Sequence, residues 1–114
     1  MNFEIDLFFP SAMPGAASKT ETLGLCKVLT HPVFVTVTER NGDARLVALA
    51  EIAELDRAEK RFTTTRGKAC FPRRIDFPDK IYVETGSGHA RAIKGDQIAR
   101  LVRRGDTSSL KVSW

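Results

Sequence analysis

Gly42-Asp43-Ala44-Arg45-Leu46-Val47 returns 46 residues later, counted from Gly42 to Gly88, as Gly88-His89-Ala90-Arg91-Ala92-Ile93. The match continues without a gap. Glu51-Ile52-Ala53-Glu54-Leu55 aligns with Gln97-Ile98-Ala99-Arg100-Leu101, Val37 with Val83, and Arg57 with Arg103. The shared pattern is Gly-x-Ala-Arg-x-(Val/Ile), then (Glu/Gln)-Ile-Ala-x-Leu. An internal repeat constrains topology before any single element does, and this one spans 37–57 and 83–103. Each copy reads as a hairpin followed by a helical turn, whose Ile and Leu, three apart, cap the apolar edge of a sheet. Two copies related by a pseudo-twofold can pack into a small barrel or paired sheets. The expected fold class is therefore mainly β: a barrel-like or sandwich-like single domain over 1–114, with a duplicated hairpin plus helical-turn unit and one or two short helices.

The flanking sequence extends this picture. Phe3, Ile5, Leu7 and Phe9 alternate with Glu4 and Asp6, the period of a half-buried strand, and Pro10 stops it. Residues 10–22, with Pro14-Gly15 and small side chains, are expected to form a mobile loop. An apolar run from Leu23 to Leu29 ends at His31-Pro32. Val33 to Thr38 is almost all β-branched or aromatic and reads as a strand. Asn41-Gly42 predicts a tight two-residue turn, in which both central residues take positive φ. Arg61 to Phe71 predicts a hairpin through Arg66-Gly67. Pro72 and Pro78 restrict 71–78 to an edge or extended connection. Lys80–Glu84 and His89–Ile93 form the next hairpin around Gly86-Ser87-Gly88. Asp96 is expected to cap a helix from Gln97 to Arg104, ended by Gly105, before a last strand through Leu110, Val112 and Trp114. The expected core is Phe3, Ile5, Leu7, Val35, Val37, Val47, Ile52, Leu55, Phe62, Ile81, Val83, Ile93, Ile98 and Leu101.

The repeated pattern resembles the β-rich LytTR-type DNA-binding domains and the short FlbD-type flagellar proteins, where a hairpin is also followed by an Ile-x-x-Ile-like turn. The likeness covers about half of the chain in generic residues, and no function is carried over from it.

Chemistry is sparse. Cys26, His31, Cys70 and His89 are enough ligands for a Cys2His2 zinc site, but no pair has the short spacing of a zinc knuckle, so neither a metal nor a cofactor is expected. Cys70 lies between Ala69 and Phe71 in a strand pattern, which suits a packed thiol better than a nucleophile. No serine sits in a nucleophile elbow. Gly86-Ser87-Gly88 precedes a strand, not the helix that a phosphate cradle needs. The expectation is a protein that is not an enzyme.

Charge is more informative. The net charge is +4, but Arg57 to Arg74 holds seven bases against the single acid Glu59. Such asymmetry favours polyanionic partners. Phe62, Phe71 and Phe77 are interleaved with these bases, as in stacking platforms for single strands. The expected contact residues are Arg45, Arg61, Arg66, Lys68, Arg73, Arg74, Arg91, Arg100 and Arg104. The expected function is a small binding module that contacts nucleic acid, or a nucleic-acid complex, through this basic face. Two alternatives stand beside it: an adaptor or inhibitor of an acidic protein partner, of the kind encoded by bacteria, phages and other mobile elements, and a homo-oligomeric structural component, a homo-dimer in the simplest case. No apolar run reaches the ~20 residues of a membrane span, and Glu4 and Asp6 stand where a signal peptide would carry bases. A cytoplasmic protein without membrane contact is expected.

Overall fold

In a computed structural model that describes residues 2–11, 13, 15 and 17–104, the chain forms eleven strands. They are β1 (Asn2–Phe9), β2 (Lys19–Val28), β3 (Phe34–Thr38), β4 (Ala44–Ala48), β5 (Ile52–Asp56), β6 (Arg61–Thr64), β7 (Ala69–Cys70), β8 (Arg74–Asp76), β9 (Lys80–Glu84), β10 (Ala90–Lys94) and β11 (Ile98–Arg103). Single 3-10 turns, Leu49–Glu51 and Gly95–Gln97, lead into β5 and β11. The expected last strand through Leu110, Val112 and Trp114, and the stop at Gly105, lie outside the described residues.

The repeat is real in the backbone. β3, β4, the 3-10 turn and the start of β5 recur at the same offset of 46 as β9, β10, the second 3-10 turn and the start of β11. Where β5 pairs antiparallel with β11, Leu55 faces Leu101, its own counterpart. The pseudo-twofold therefore passes through that pair.

The sheet order follows the same symmetry. The eight-stranded sheet runs β10-β9-β2-β1-β11-β5-β6-β7, and the three-stranded sheet runs β4-β3-β8. Taking β7 and β8 as one interrupted strand, the order reads the same from either end. Each half's hairpin lies beside the other half's second strand, so the halves are interlocked. The interruption falls at Pro72, which has no N–H to give to a ladder, and it divides the structure into two sheets. The sheets do not close into a barrel, because β4 and β10 remain edges.

Three local expectations are corrected. The segment Gln97–Arg104 is not a helix. After the 3-10 turn, Ile98–Arg103 is a strand paired with both β1 and β5. The spacing of three that suggested helix comes from a bulge. Asp6 pairs Arg100 while Leu7 pairs Ile98, which leaves Ala99 as the extra residue; Ala53 has the same place between Ile52 and Glu54. An extra residue flips the alternation once, so Ile98 and Leu101 reach the same core, each 2 % exposed. The second correction concerns the turns. Gly42 and Gly88 have φ of 95° and 86°, but Asn41 is not left-handed. Glu39 N–H donates to Asp43 O and Gly42 N–H to Glu39 O, and Thr85 to Gly88 repeats this arrangement. These are three-residue loops with a glycine bulge, not two-residue turns. The expected loop over 10–22 is also shorter than read, because β2 already begins at Lys19 and pairs with Phe9.

Side chains from both sheets form one apolar cluster containing every expected core residue, together with Cys26, Val28, Val33, Leu49 and Ile75. Side chains of this size contribute about 1.5–3 kcal/mol each when fully buried. Residues 71–78 are extended, and β8 lies at an edge beside β3, as the two prolines require. The halves differ where Leu49 has Gly95 as its counterpart. A Cβ at Gly95 would collide with the Pro78 carbonyl oxygen, so the second half fills that space with 77–78 instead of a leucine.

The twofold also organises two arginines. Arg57 directs Nη1 at the carbonyls of Gly95, Asp96 and Ile98, at 3.0–3.2 Å. Its counterpart Arg103 donates to Leu49 O, Ala50 O and Ile52 O at 2.9–3.1 Å. Each therefore fastens the 3-10 turn of the other half. Arg103 also lies 5.0 Å from the Phe3 ring centroid, and Arg57 5.9 Å from that of Phe77. Burial pushes the Arg103 guanidinium below its ordinary pKa.

Candidate nucleic-acid interface

The nine expected contact residues fall into two sets. Six form ion pairs. On the outer face of β1, β11, β5 and β6, the register aligns Asp6, Arg100, Asp56 and Arg61 in one row of alternating charge. Glu54 joins Arg100 at 3.1 Å and Arg61 at 3.7 Å. Arg104 grips Glu4 through two bonds, and Arg91 grips Glu21 in the same way. Arg74 pairs with Asp76, and Arg45 pairs with Glu39 while lying 6.0 Å from the Phe62 ring centroid. Arg45, Arg61 and Arg74 are matched by acids within seven residues, and Arg91, Arg100 and Arg104 by acids 46 to 100 residues away, so the surface around all six is mixed rather than basic.

The forks on Glu4 and Glu21 have a consequence for pH. Hydrogen bonds from Arg104 and Arg91 hold these carboxyls below the usual carboxylate range. A depressed carboxylate stabilises the fold above its unfolded pKa of about 4.3, and the contribution is lost as pH falls through the lower folded value. The double variant Glu4→Gln, Glu21→Gln should melt slightly below the parent at neutral pH and together with it in strong acid. The shift should be small, because exposed pairs contribute little. Thermal melts followed by circular dichroism across pH 2–7 check this; a gap that widened in acid would contradict it.

The second set is Arg66, Lys68 and Arg73. All three are exposed and have no ion pair among the described residues. Arg66 sits in the turn between β6 and β7, where Gly67 takes φ 88°. Arg66 and Lys68 line a groove of about 460 Å³ with Thr64, Thr65 and Glu51. Beyond β7, Phe71, Pro72 and Arg73 are exposed, buried and exposed in turn. Pro72 thus anchors the segment while Phe71 and Arg73 face outward. Arg73 N–H donates to Thr38 O at 2.8 Å, which fixes the segment against the end of β3.

Arg40, which the sequence reading did not single out, joins this set. Its Nε donates to Phe71 O at 3.3 Å. Its distance from Phe71 along the chain hides the contact, and only the pairing of β3 with β8 brings the two together. The three phenylalanines in the basic stretch have separate fates. Phe62 is 1 % exposed and Phe71 54 %, while Phe77 packs against the core. Only Phe71 of the three offers a free ring.

A further surface was not anticipated. On the outer face of β9 and β10, Tyr82 lies opposite Ala92, and Lys80 opposite Lys94. Tyr82 is 49 % exposed. Lys80 and Lys94 also border a cavity of about 400 Å³ lined by Asp76, Asp79 and Asp96, whose charge offsets theirs.

Cys26 is buried and Cys70 half-buried, both as free thiols; burial raises the Cys26 pKa. Among the described residues no group of three or more His, Cys, Asp or Glu is placed to hold a metal ion, and no helix is long and apolar enough to cross a membrane. Compared with protein-family models, curated proteins and solved structures, the chain finds no match, so the chemistry of its own surface carries the functional reading.

Proposed function

We propose that the protein is a non-catalytic module that binds nucleic acid through the surface formed by Arg40, Arg66, Lys68, Phe71 and Arg73. The observation that supports this most is the division of the cations: six of nine are matched by carboxylates, whereas the unmatched three all come from 66–73 and share a surface segment with an exposed ring. Cations that folding does not neutralise are available to phosphates, and each phosphate neutralised releases counterions.

Filter binding of labelled single- and double-stranded DNA and RNA across a salt series tests the reading. Affinity should fall steeply with salt. The triple variant Arg66→Gln, Lys68→Gln, Arg73→Gln should lose about ten-fold or more at low salt and flatten the slope by about 2–3. The paired set, Arg61→Gln with Arg100→Gln, should bind as the parent does. No affinity at low salt, or an affinity indifferent to salt, ends this reading.

A protein partner is the second reading, and the outer face of β3 and β4 favours it. Phe34 and Leu46 are 43 % and 66 % exposed there, at positions where the other half has Lys80 and Ala92. Capture of an acidic protein without any nucleic-acid requirement would put this reading ahead.

A further inference from the structure

We infer that the ligand of the Arg40–Arg73 surface is single-stranded rather than duplex nucleic acid, with one base stacked on the ring of Phe71; this rests on the nucleic-acid reading above. Phe71 is 54 % exposed although it adjoins the half-buried Cys70, which packs against the core, and the buried Pro72. Its ring is therefore held outward by a rigid, anchored backbone. The hydrogen bond from Arg40 Nε to Phe71 O and the one from Arg73 N–H to Thr38 O fix this segment on both sides of Pro72. Arg40 is thereby bonded to the backbone of Phe71, and Arg73 stands two residues beyond it, beside an exposed ring. A base can meet such a face only where it is not stacked within a duplex, and stacking of this kind tolerates any base.

The repeat supplies an internal comparison. At the offset of 46, Phe71 corresponds to Leu25 and Arg40 to Gly86. The two segments also come close in that copy: a Cβ at Gly86 would lie 3.9 Å from Leu25 O, at ordinary contact distance. The fold therefore makes this juncture twice and needs neither ring nor guanidinium to do so. Only one copy has been given both. Tyr82 is the nearest competitor, but Glu84 shares its strand face, and the lysines beside it border three carboxylates.

The experiment measures binding of oligo-dT, oligo-U and a mixed-sequence duplex to the full chain and to Phe71→Leu, Phe71→Trp and Tyr82→Leu. Single strands should bind more tightly than duplex. Phe71→Leu should weaken single-strand binding about ten-fold, within the range of one base–aromatic stack, and leave duplex affinity and the salt slope unchanged. Phe71→Trp should retain binding, and Tyr82→Leu should match the parent. The oligo-dT and oligo-U arms separate DNA from RNA as the source of the strand. Salt-dependent binding that prefers duplex, or that ignores Phe71→Leu, overturns the stacking inference and leaves the nucleic-acid reading standing. A loss caused by Tyr82→Leu instead overturns the assignment to Phe71. Absence of binding in every arm ends both.

Discussion

Ile98→Asp is expected to leave a chain that does not fold. Ile98 is 2 % exposed and begins β11, the strand that pairs with both β1 and β5. Its side chain belongs to an apolar cluster with Leu7, Ile52 and Leu101, and Arg57 reaches its carbonyl oxygen on the backbone. An unpaired carboxylate in such a site costs several kcal/mol even after it takes up a proton. Domains of this size have only about 5–15 kcal/mol of stability in total. Ile98→Val should fold and lose about 0.5–1.5 kcal/mol, as methylene deletions in cores do. Far-UV circular dichroism and urea denaturation read both. A soluble Ile98→Asp protein with unchanged melting would mean that the second repeat does not contribute to the core, and the interlocked architecture would fail with it.

Arg103→Met should be the most damaging change of a charged residue. Its guanidinium donates to three carbonyls around the Leu49–Glu51 turn. Methionine keeps a stem of similar length and removes these donors together with the guanidinium over the Phe3 ring, so the expected loss is about 2–4 kcal/mol. Lysine should recover less than half of it, because a point charge cannot satisfy three acceptors that a planar fork reaches together. Arg57→Met should cost somewhat less, since a single Nη1 serves all of its carbonyls at 3.0–3.2 Å. The two arginines fasten opposite ends of one interface, so the double variant should lose more than the sum if the halves come apart as a unit. Denaturant midpoints of the parent and the four variants give the answer. A loss within about 0.5 kcal/mol of zero for Arg103→Met would show that these bonds are replaceable by water.

Much of the architecture could be read in the chain. Alternation in Phe3 to Phe9 and the β-branched run in 33–38 mark strands because their side chains must divide between a core and a solvent face. The repeat at 46 marks the two equivalent hairpins, and every residue expected in the core is buried. The misread segment, Gln97–Arg104, shows where local reading ends. Ile98-Ala99-Arg100-Leu101 has helical spacing, and nothing within it reveals that Ala99 is an extra residue in a bulge. The bulge lies where β11 pairs with β1, a strand from the opposite end of the described chain, and its counterpart at Ala53 lies where β5 pairs with β6.

The candidate site divides in the same way. The density of bases in 57–74 is visible in the sequence, and so is the presence of aromatic rings. Which bases are neutralised is not. Arg104 meets Glu4 across 100 residues and Arg91 meets Glu21 across 70, so the matching depends on strand order. Arg40 enters the site only because β3 lies beside β8.

Most strand positions, the duplicated unit and most of the buried set were determined by the order of residues alone, since the alternation of apolar and polar groups acts over a few neighbours. The interlocking of the two halves, the exchange of arginines across the pseudo-twofold and the selection of Arg66, Lys68 and Arg73 as unmatched cations were decided only by tertiary structure. Coulomb pairing and backbone register depend on which strands become adjacent, and adjacency is a property of the whole chain.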